Sequence, residues 1–126
     1  MSHQPGVPDV PEIDVEAAWE RFRSQNALIV DVREPEELDE INIPGVTHIP
    51  LGELPSRVAS LPHDRELLLI CRSGVRSAYA TEFLRTSGFD RSLNISGGVI
   101  AWAEAELPYV LHGQPVNVDA NEDDQG

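Results

Sequence analysis

Four consecutive aliphatic residues, Leu67-Leu68-Leu69-Ile70, run directly into the only cysteine of the chain, Cys71, and then into Arg72-Ser73-Gly74-Val75-Arg76-Ser77. This stretch limits the fold more than any other. An apolar run closed by a polar loop describes a strand buried on both faces, as in a parallel sheet. Beyond the loop, Ala78, Ala80, Phe83 and Leu84 fall at helical spacing. A strand, a tight polar loop and a helix together build an anion or nucleophile site. The strand delivers Cys71 to its C-terminal end, the loop can turn its N–H groups inward, and the helix N-terminus adds partial positive charge. Such a setting favours thiolate, the reactive form of cysteine. A cysteine after an apolar run is by itself an ordinary buried residue. Two arginines and a glycine between Cys71 and Arg76 point to a site instead.

Charge sharpens the expectation. The formal net charge is −13, which argues against a nucleic-acid partner, whose phosphates attract basic surfaces. All nine basic residues are arginine, so no lysine is present to form a Schiff base. Arg72 and Arg76 make a basic spot on an acidic protein, suited to a small anionic substrate. With one cysteine and no His-x-x-x-His spacing, no metal site is expected. His48 and His63 are expected to be structural or solvent-facing. A single cysteine also forms no internal disulfide and suggests a reducing, cytoplasmic setting. Any group taken up on it must leave to an outside acceptor, since the chain has no second thiol. No apolar run approaches the roughly 20 residues of a membrane helix, and Met1 to Gly6 lacks the pattern of a signal peptide.

The 126 residues suit one domain. Residues 1–9 are expected to be a flexible leader, residues 10–111 the folded domain, and residues 112–126 an acidic, disordered tail. Ile13 begins a short edge strand, and Asp14 caps a helix bearing Val15, Ala18, Trp19 and Phe22. Ala27 to Val32 is a buried strand ending at Asp31, on the rim where ligands bind in open α/β sheets. Asp31 is expected to cap the segment Arg33 to Glu40 or to pair with an arginine. His48-Ile49 is a strand candidate, and Leu51, Leu54, Val58 and Leu61 have helical spacing. Gly88 caps the helix after the loop, Ser92 to Ile95 is the last strand, and Gly97-Gly98 turn the chain into a helix carrying Trp102. For these two glycines and Trp102 the expected roles are turn and core packing. Strands alternating with helices give an α/β fold, its parallel sheet covered on both faces.

Four ordered motifs resemble one family. Cys71-Arg72-Ser73-Gly74-Val75-Arg76-Ser77 is similar to the active-site loop of rhodanese-like sulfurtransferases. Asp31-Val32-Arg33-Glu34-Pro35-Glu36-Glu37, Ile43-Pro44-Gly45-Val46 with Ile49-Pro50, and Gly97-Gly98-Val99-Ile100-Ala101-Trp102 match its other signatures in order and spacing. The resemblance spans roughly residues 10 to 110. It implies a single rhodanese-like domain with a five-stranded, mainly parallel sheet and helices on both faces. It implies catalysis by Cys71 through a persulfide, with the loop Arg72, Ser73, Gly74, Val75, Arg76 and Ser77 binding substrate and Asp31 and Arg33 ordering that loop. The implied partners are a small anionic sulfur donor such as thiosulfate and a low-molecular-weight or protein thiol, or cyanide, as acceptor, with no cofactor. One arginine of the loop is expected to meet the donor, or to turn inward onto Asp31 or a loop carbonyl. Ile41-Asn42 stand where the family usually has Gly-His. A glycine tolerates a left-handed backbone that a β-branched residue does not, so this turn is expected to shift by one residue.

Two other functions share the scaffold. A cysteine phosphatase or arsenate reductase needs five residues between Cys and Arg to encircle a tetrahedral anion, whereas four separate Cys71 from Arg76. A sulfur carrier or partner-binding module without turnover remains the second alternative.

Overall fold

Residues 6–117 are described by a computed structural model. Five strands form one wholly parallel sheet: β1 (Glu12–Ile13), β2 (Ala27–Asp31), β4 (Thr47–His48), β5 (Glu66–Ile70) and β6 (Ser92–Ile95), in the order β1-β6-β5-β2-β4. The central strand β5 is therefore the one that leads into Cys71. Its side chains alternate between two cores, as the two-residue period of a strand requires. Leu68 and Ile70 join Ala27, Ile29, Ile95, Val99 and Trp102 on the face covered by α1 (Val15–Arg23) and α5 (Gly98–Glu104). Leu67, Leu69 and Cys71 join Val30, Val32, Leu54, Ala80 and Leu84 on the opposite face, under α3 (Leu54–Arg57) and α4 (Val75–Thr86). The expected architecture, with helices on both faces of a five-stranded sheet, is the observed one.

The chain goes outward from β2 to β4 at one edge, then returns to place β5 on the other side of β2. Where strand order reverses in this way, a crevice opens beyond the carboxyl ends of the two central strands. Cys71 follows β5 and Asp31 closes β2, so both lie at that crevice. Local signals position the neighbouring helices. Asp14 accepts the Ala17 N–H at 2.8 Å as the cap of α1. Glu34 and Glu37 form a capping box that starts α2 (Pro35–Glu40). The periodic stretch Leu51 to Leu61 breaks into a 3-10 turn, the four-residue α3 and another 3-10 turn. Pro55, in the first turn of α3, lacks the N–H that would carry an α-helix back onto the Leu51 carbonyl, so the preceding turn and α3 do not merge into one helix.

Two expectations are corrected. Ile41-Asn42 do not form a shifted left-handed turn. They are extended, with Ile41 at φ −124° and ψ 126°, and form strand β3; the left-handed residue of this stretch is Gly45. A β-branched residue suits an extended backbone, so Ile41 is accommodated without strain. The second correction concerns the end of the domain. The chain does not end its fold at Leu111: β7 (Tyr109–Leu111) and β8 (Gln114–Val116) form a hairpin, and β3 pairs with β7 to make a second, three-stranded antiparallel sheet. His112 and Gly113 both have positive φ, the two-residue turn that suits a hairpin's twist. The pairing is by backbone, so these polar residues need no apolar face, and Pro115 sits on an edge strand that tolerates it. At the other end, the Gly6 carbonyl accepts a hydrogen bond from the Tyr79 hydroxyl of α4, within the expected leader. The parts of the leader and tail at residues 1–5 and 118–126 lie outside the described residues. No helix among the described residues is long and apolar enough to cross a membrane.

Candidate active site

Cys71 is 1% exposed, and its sulfur is the centre of a small hydrogen-bonded cage. The Gly74 N–H donates to Sγ at 3.2 Å and the Ser77 N–H at 3.3 Å, while the Ser77 hydroxyl oxygen lies 3.2 Å away. Gly74 makes this possible: at φ +107° it turns the loop back over the sulfur, in a region that L side chains rarely adopt. The N–H groups of Arg72, Ser73, Val75 and Arg76 donate to no acceptor among the described residues. The loop and the first turn of α4 thus carry further backbone N–H donors on either side of the Gly74 N–H that bonds the sulfur.

The carbonyls of the loop point the other way because α5 holds them. The Val99 N–H donates to the Cys71 carbonyl at 2.9 Å and the Ile100 N–H to the Arg72 carbonyl at 3.2 Å. Gly98 permits the approach: its φ is +60°, and a Cβ there would overlap both carbonyl oxygens. Gly97 and Gly98 are therefore more than a turn. They let the N-terminus of α5 brace the cysteine loop.

The two loop arginines differ. The Arg76 guanidinium donates to both Glu37 carboxylate oxygens, at 2.7 and 2.9 Å, so it pairs neither with Asp31 nor with a loop carbonyl. This pair holds the Glu37 carboxyl down from the ordinary 4.5 to about 2, the Arg76 hydrogen bond outweighing partial desolvation. Arg72 is exposed and pairs with no carboxylate among the described residues. Asp31 is taken by Arg33, through contacts of 2.8 to 3.2 Å between two fully buried side chains. Arg33 then donates to the Ile41 carbonyl at 2.8 Å and the Glu37 carbonyl at 3.4 Å. A chain of contacts therefore runs from β2 through Asp31, Arg33 and Glu37 to Arg76. Among the described residues, the hydrogen bonds of Asp31 and Arg33 reach Arg76 through this relay.

Serine 73 and Val75 take the exposed and half-buried positions of the loop. His48 donates to the Arg33 carbonyl at 2.7 Å, and His63 stacks on Phe89. Among the described residues no group of His, Cys, Asp or Glu could hold a metal ion.

Sequence reasoning missed Glu37, Gly98 and Asn94. Asn94, on β6, is buried; its Oδ1 accepts from the Ser77 hydroxyl at 2.6 Å and its Nδ2 donates to the Gly74 carbonyl at 3.1 Å. The signal available was a polar residue inside a strand that a covered parallel sheet should make apolar.

The family of rhodanese-like domains matches residues 14–105 of the chain. The protein belongs to the rhodanese-like family. A sulfurtransferase of Allochromatium vinosum is 40% identical over 102 residues, covering 80% of this chain and 95% of that protein. A putative sulfur carrier protein of Bacillus subtilis is 42% identical over 94 residues, 74% of this chain and 51% of its own. A rhodanese-related protein of Thermoplasma volcanium, solved by crystallography, superposes with a TM-score of 0.74 at 34% identity, covering 80% of this chain and 98% of that one. This rhodanese-like domain accordingly has a function in sulfur transfer or sulfur carriage.

Proposed function

We propose that the protein is a thiosulfate-type sulfurtransferase that carries sulfur on Cys71. The observation that supports this best is the cage itself: one cysteine at the C-terminal end of the central strand, its sulfur accepting the N–H groups of Gly74 and Ser77. In the first half-reaction the Cys71 thiolate attacks the outer sulfur of thiosulfate. The Sγ–S bond forms as the bond to the sulfonate sulfur breaks, and sulfite leaves with that electron pair. The new terminal sulfur carries the negative charge, and the N–H groups between Arg72 and Ser77 are placed to receive it, as an oxyanion hole receives oxygen. In the second half-reaction cyanide or a thiol attacks that outer sulfur, and the thiolate of Cys71 returns. This is covalent catalysis with one nucleophile.

Arg72, the loop cation without a carboxylate partner among the described residues, is the residue to attract the anionic donor. Arg76 instead fixes the loop through Glu37. A thiol buried to 1% suits a slender donor whose reactive end is a single sulfur atom. With one cysteine the chain fits a reducing, cytoplasmic compartment.

Intact mass measurement after incubation with thiosulfate tests the proposal. The wild type should gain one sulfur atom, lost again on addition of cyanide, and Cys71→Ser should gain none. Sulfur that stays bound with every acceptor would favour a carrier without turnover. A wild type that takes up no sulfur would refute both.

A further inference from the structure

Ser77 touches the cysteine sulfur and Asn94 at once, and its hydroxyl has one proton to give. Which neighbour receives it follows from the surrounding partners. A backbone carbonyl only accepts, so the Gly74 carbonyl at 3.1 Å must face the Nδ2 end of Asn94. The Oδ1 end is thereby turned toward Ser77, at 2.6 Å. Two oxygens at that distance need a proton between them, and Oδ1 has none. The Ser77 hydroxyl therefore donates to Asn94. At the 3.2 Å contact with Cys71 it can present only lone pairs, and the bond that fits is Cys71 S–H to Ser77 Oγ.

We infer that Asn94 is a positioning residue that, through Ser77, holds Cys71 as a thiol at rest and makes its activation depend on a turn of the Ser77 hydroxyl. On ionisation the thiol proton leaves to solvent. The hydroxyl swings from Asn94 Oδ1 to the thiolate, so that the S–H···O and O–H···O bonds are both given up and one O–H···S bond is gained. The two N–H donors, from Gly74 and Ser77, are unaffected by the swing. The inference rests on Cys71 being the reacting thiol, as proposed above. It assigns to Asn94 a role that the family loop itself does not contain.

The charged groups around Cys71 are few. Arg72 and Arg76 lie on its own loop, Arg76 bound by Glu37 of α2, and the Asp31–Arg33 pair closes β2. The buried positions of β6, the first turn of α5 and the inward face of α4 add none, and on the turn Leu51–Glu53 the Glu53 side chain pairs with Arg57. None of these groups hydrogen-bonds to Ser77 or Asn94, so the substitutions leave their partners untouched.

The test follows thiolate absorbance against pH, with Cys71→Ser as the blank; it needs no sulfur donor, so its outcome is independent of whether thiosulfate is the substrate. Asn94→Ala frees the hydroxyl to donate to the thiolate, and its midpoint should fall by about one pH unit below the wild type, a tenfold rise in thiolate fraction. Ser77→Ala removes the acceptor of the thiol proton and the donor to the thiolate together, so the double variant should match Ser77→Ala and titrate above Asn94→Ala. Circular dichroism checks each fold, and should Asn94→Ala not fold, Asn94→Leu, which keeps the side-chain volume, takes its place. An unchanged or raised midpoint in the folded Asn94 variant, or a fall that persists in the double variant, overturns the inference.

Discussion

Arg76 and Glu37 face each other through two hydrogen bonds of 2.7 and 2.9 Å, joining the first turn of α4 to α2. The pairing divides the labour of the two loop arginines: Arg76 is spent on structure, and Arg72 meets no carboxylate among the described residues. Each half of that division has a measurable consequence.

Arg72→Ala should raise the KM for thiosulfate roughly three- to tenfold at low salt, with the thermal midpoint unchanged. The effect should shrink as salt is added, because the side chain is exposed. Arg76→Ala should instead lower the thermal midpoint. A steady-state assay at two ionic strengths, with a melting curve for each variant, separates the two. If Arg76→Ala alone raised KM without loss of stability, the assignment would be reversed.

Glu37→Gln should destabilise the fold by about 1–2 kcal/mol near neutral pH, discounting for solvent screening of a pair about one-third exposed. The folded-state carboxyl sits at about 2 against an ordinary 4.5. Its stabilisation is thus fully present above 4.5 and is lost as pH falls through about 2. The gap in thermal midpoint between wild type and variant should close over that same interval. A gap that persists undiminished at the acid end would show that packing, not charge, is what Glu37 contributes.

Gly98→Ala should cost about 1–3 kcal/mol, since a Cβ overlaps the Cys71 and Arg72 carbonyls at a left-handed backbone position. Relief requires α5 to move off the loop, which would also misplace the N–H donors. Sulfur transfer should therefore fall more than tenfold even below the variant's melting temperature. Near-normal turnover with lowered stability would confine Gly98 to packing.

Removing residues 118–126 should leave the thermal midpoint unchanged, because that stretch is polar and acidic with nothing to bury. Removing residues 112–126 takes away β8 and the turn that closes the hairpin on β7. The midpoint should then drop by several degrees, in line with a loss of about 1 kcal/mol. Equal stability of the two truncations would mean that β8 adds nothing to the domain.

A glycine inserted after Gly74 falls between the two residues whose N–H groups hold the sulfur. It gives the spacing of a phosphatase loop and should cut sulfur transfer by about 10²–10³, the scale for loss of one such donor. The wild type should not hydrolyse aryl phosphates. Hydrolysis by the wild type, without a persulfide on Cys71, would move the assignment to phosphate chemistry.

Sequence alone determined the succession of the five main strands and their helices along the chain, the strand–loop–helix around Cys71 and the position of Asp31 at the rim. These are local matters. Periodicity of two or 3.6 residues, a cap three residues from the N–H it accepts and a glycine that allows the turn are all written within a few positions of one another. Even there, short pieces escaped: the 3-10 turns beside Pro55 and the hairpin turn His112-Gly113 are backbone choices with little apolar pattern to announce them. Tertiary structure decided which partner each charged or polar group takes. Glu37 meets Arg76 across 39 positions, and Asn94 meets Ser77 across 17. No spacing rule pairs residues at such distances. Asp31 accepts Arg33, two residues on, because both are buried together at the end of β2, where an unpaired charge would be costly. The chain could advertise two loop arginines, but only the folded crevice decided that Arg76 is the one neutralised by Glu37, since that depends on where α2 comes to rest against α4.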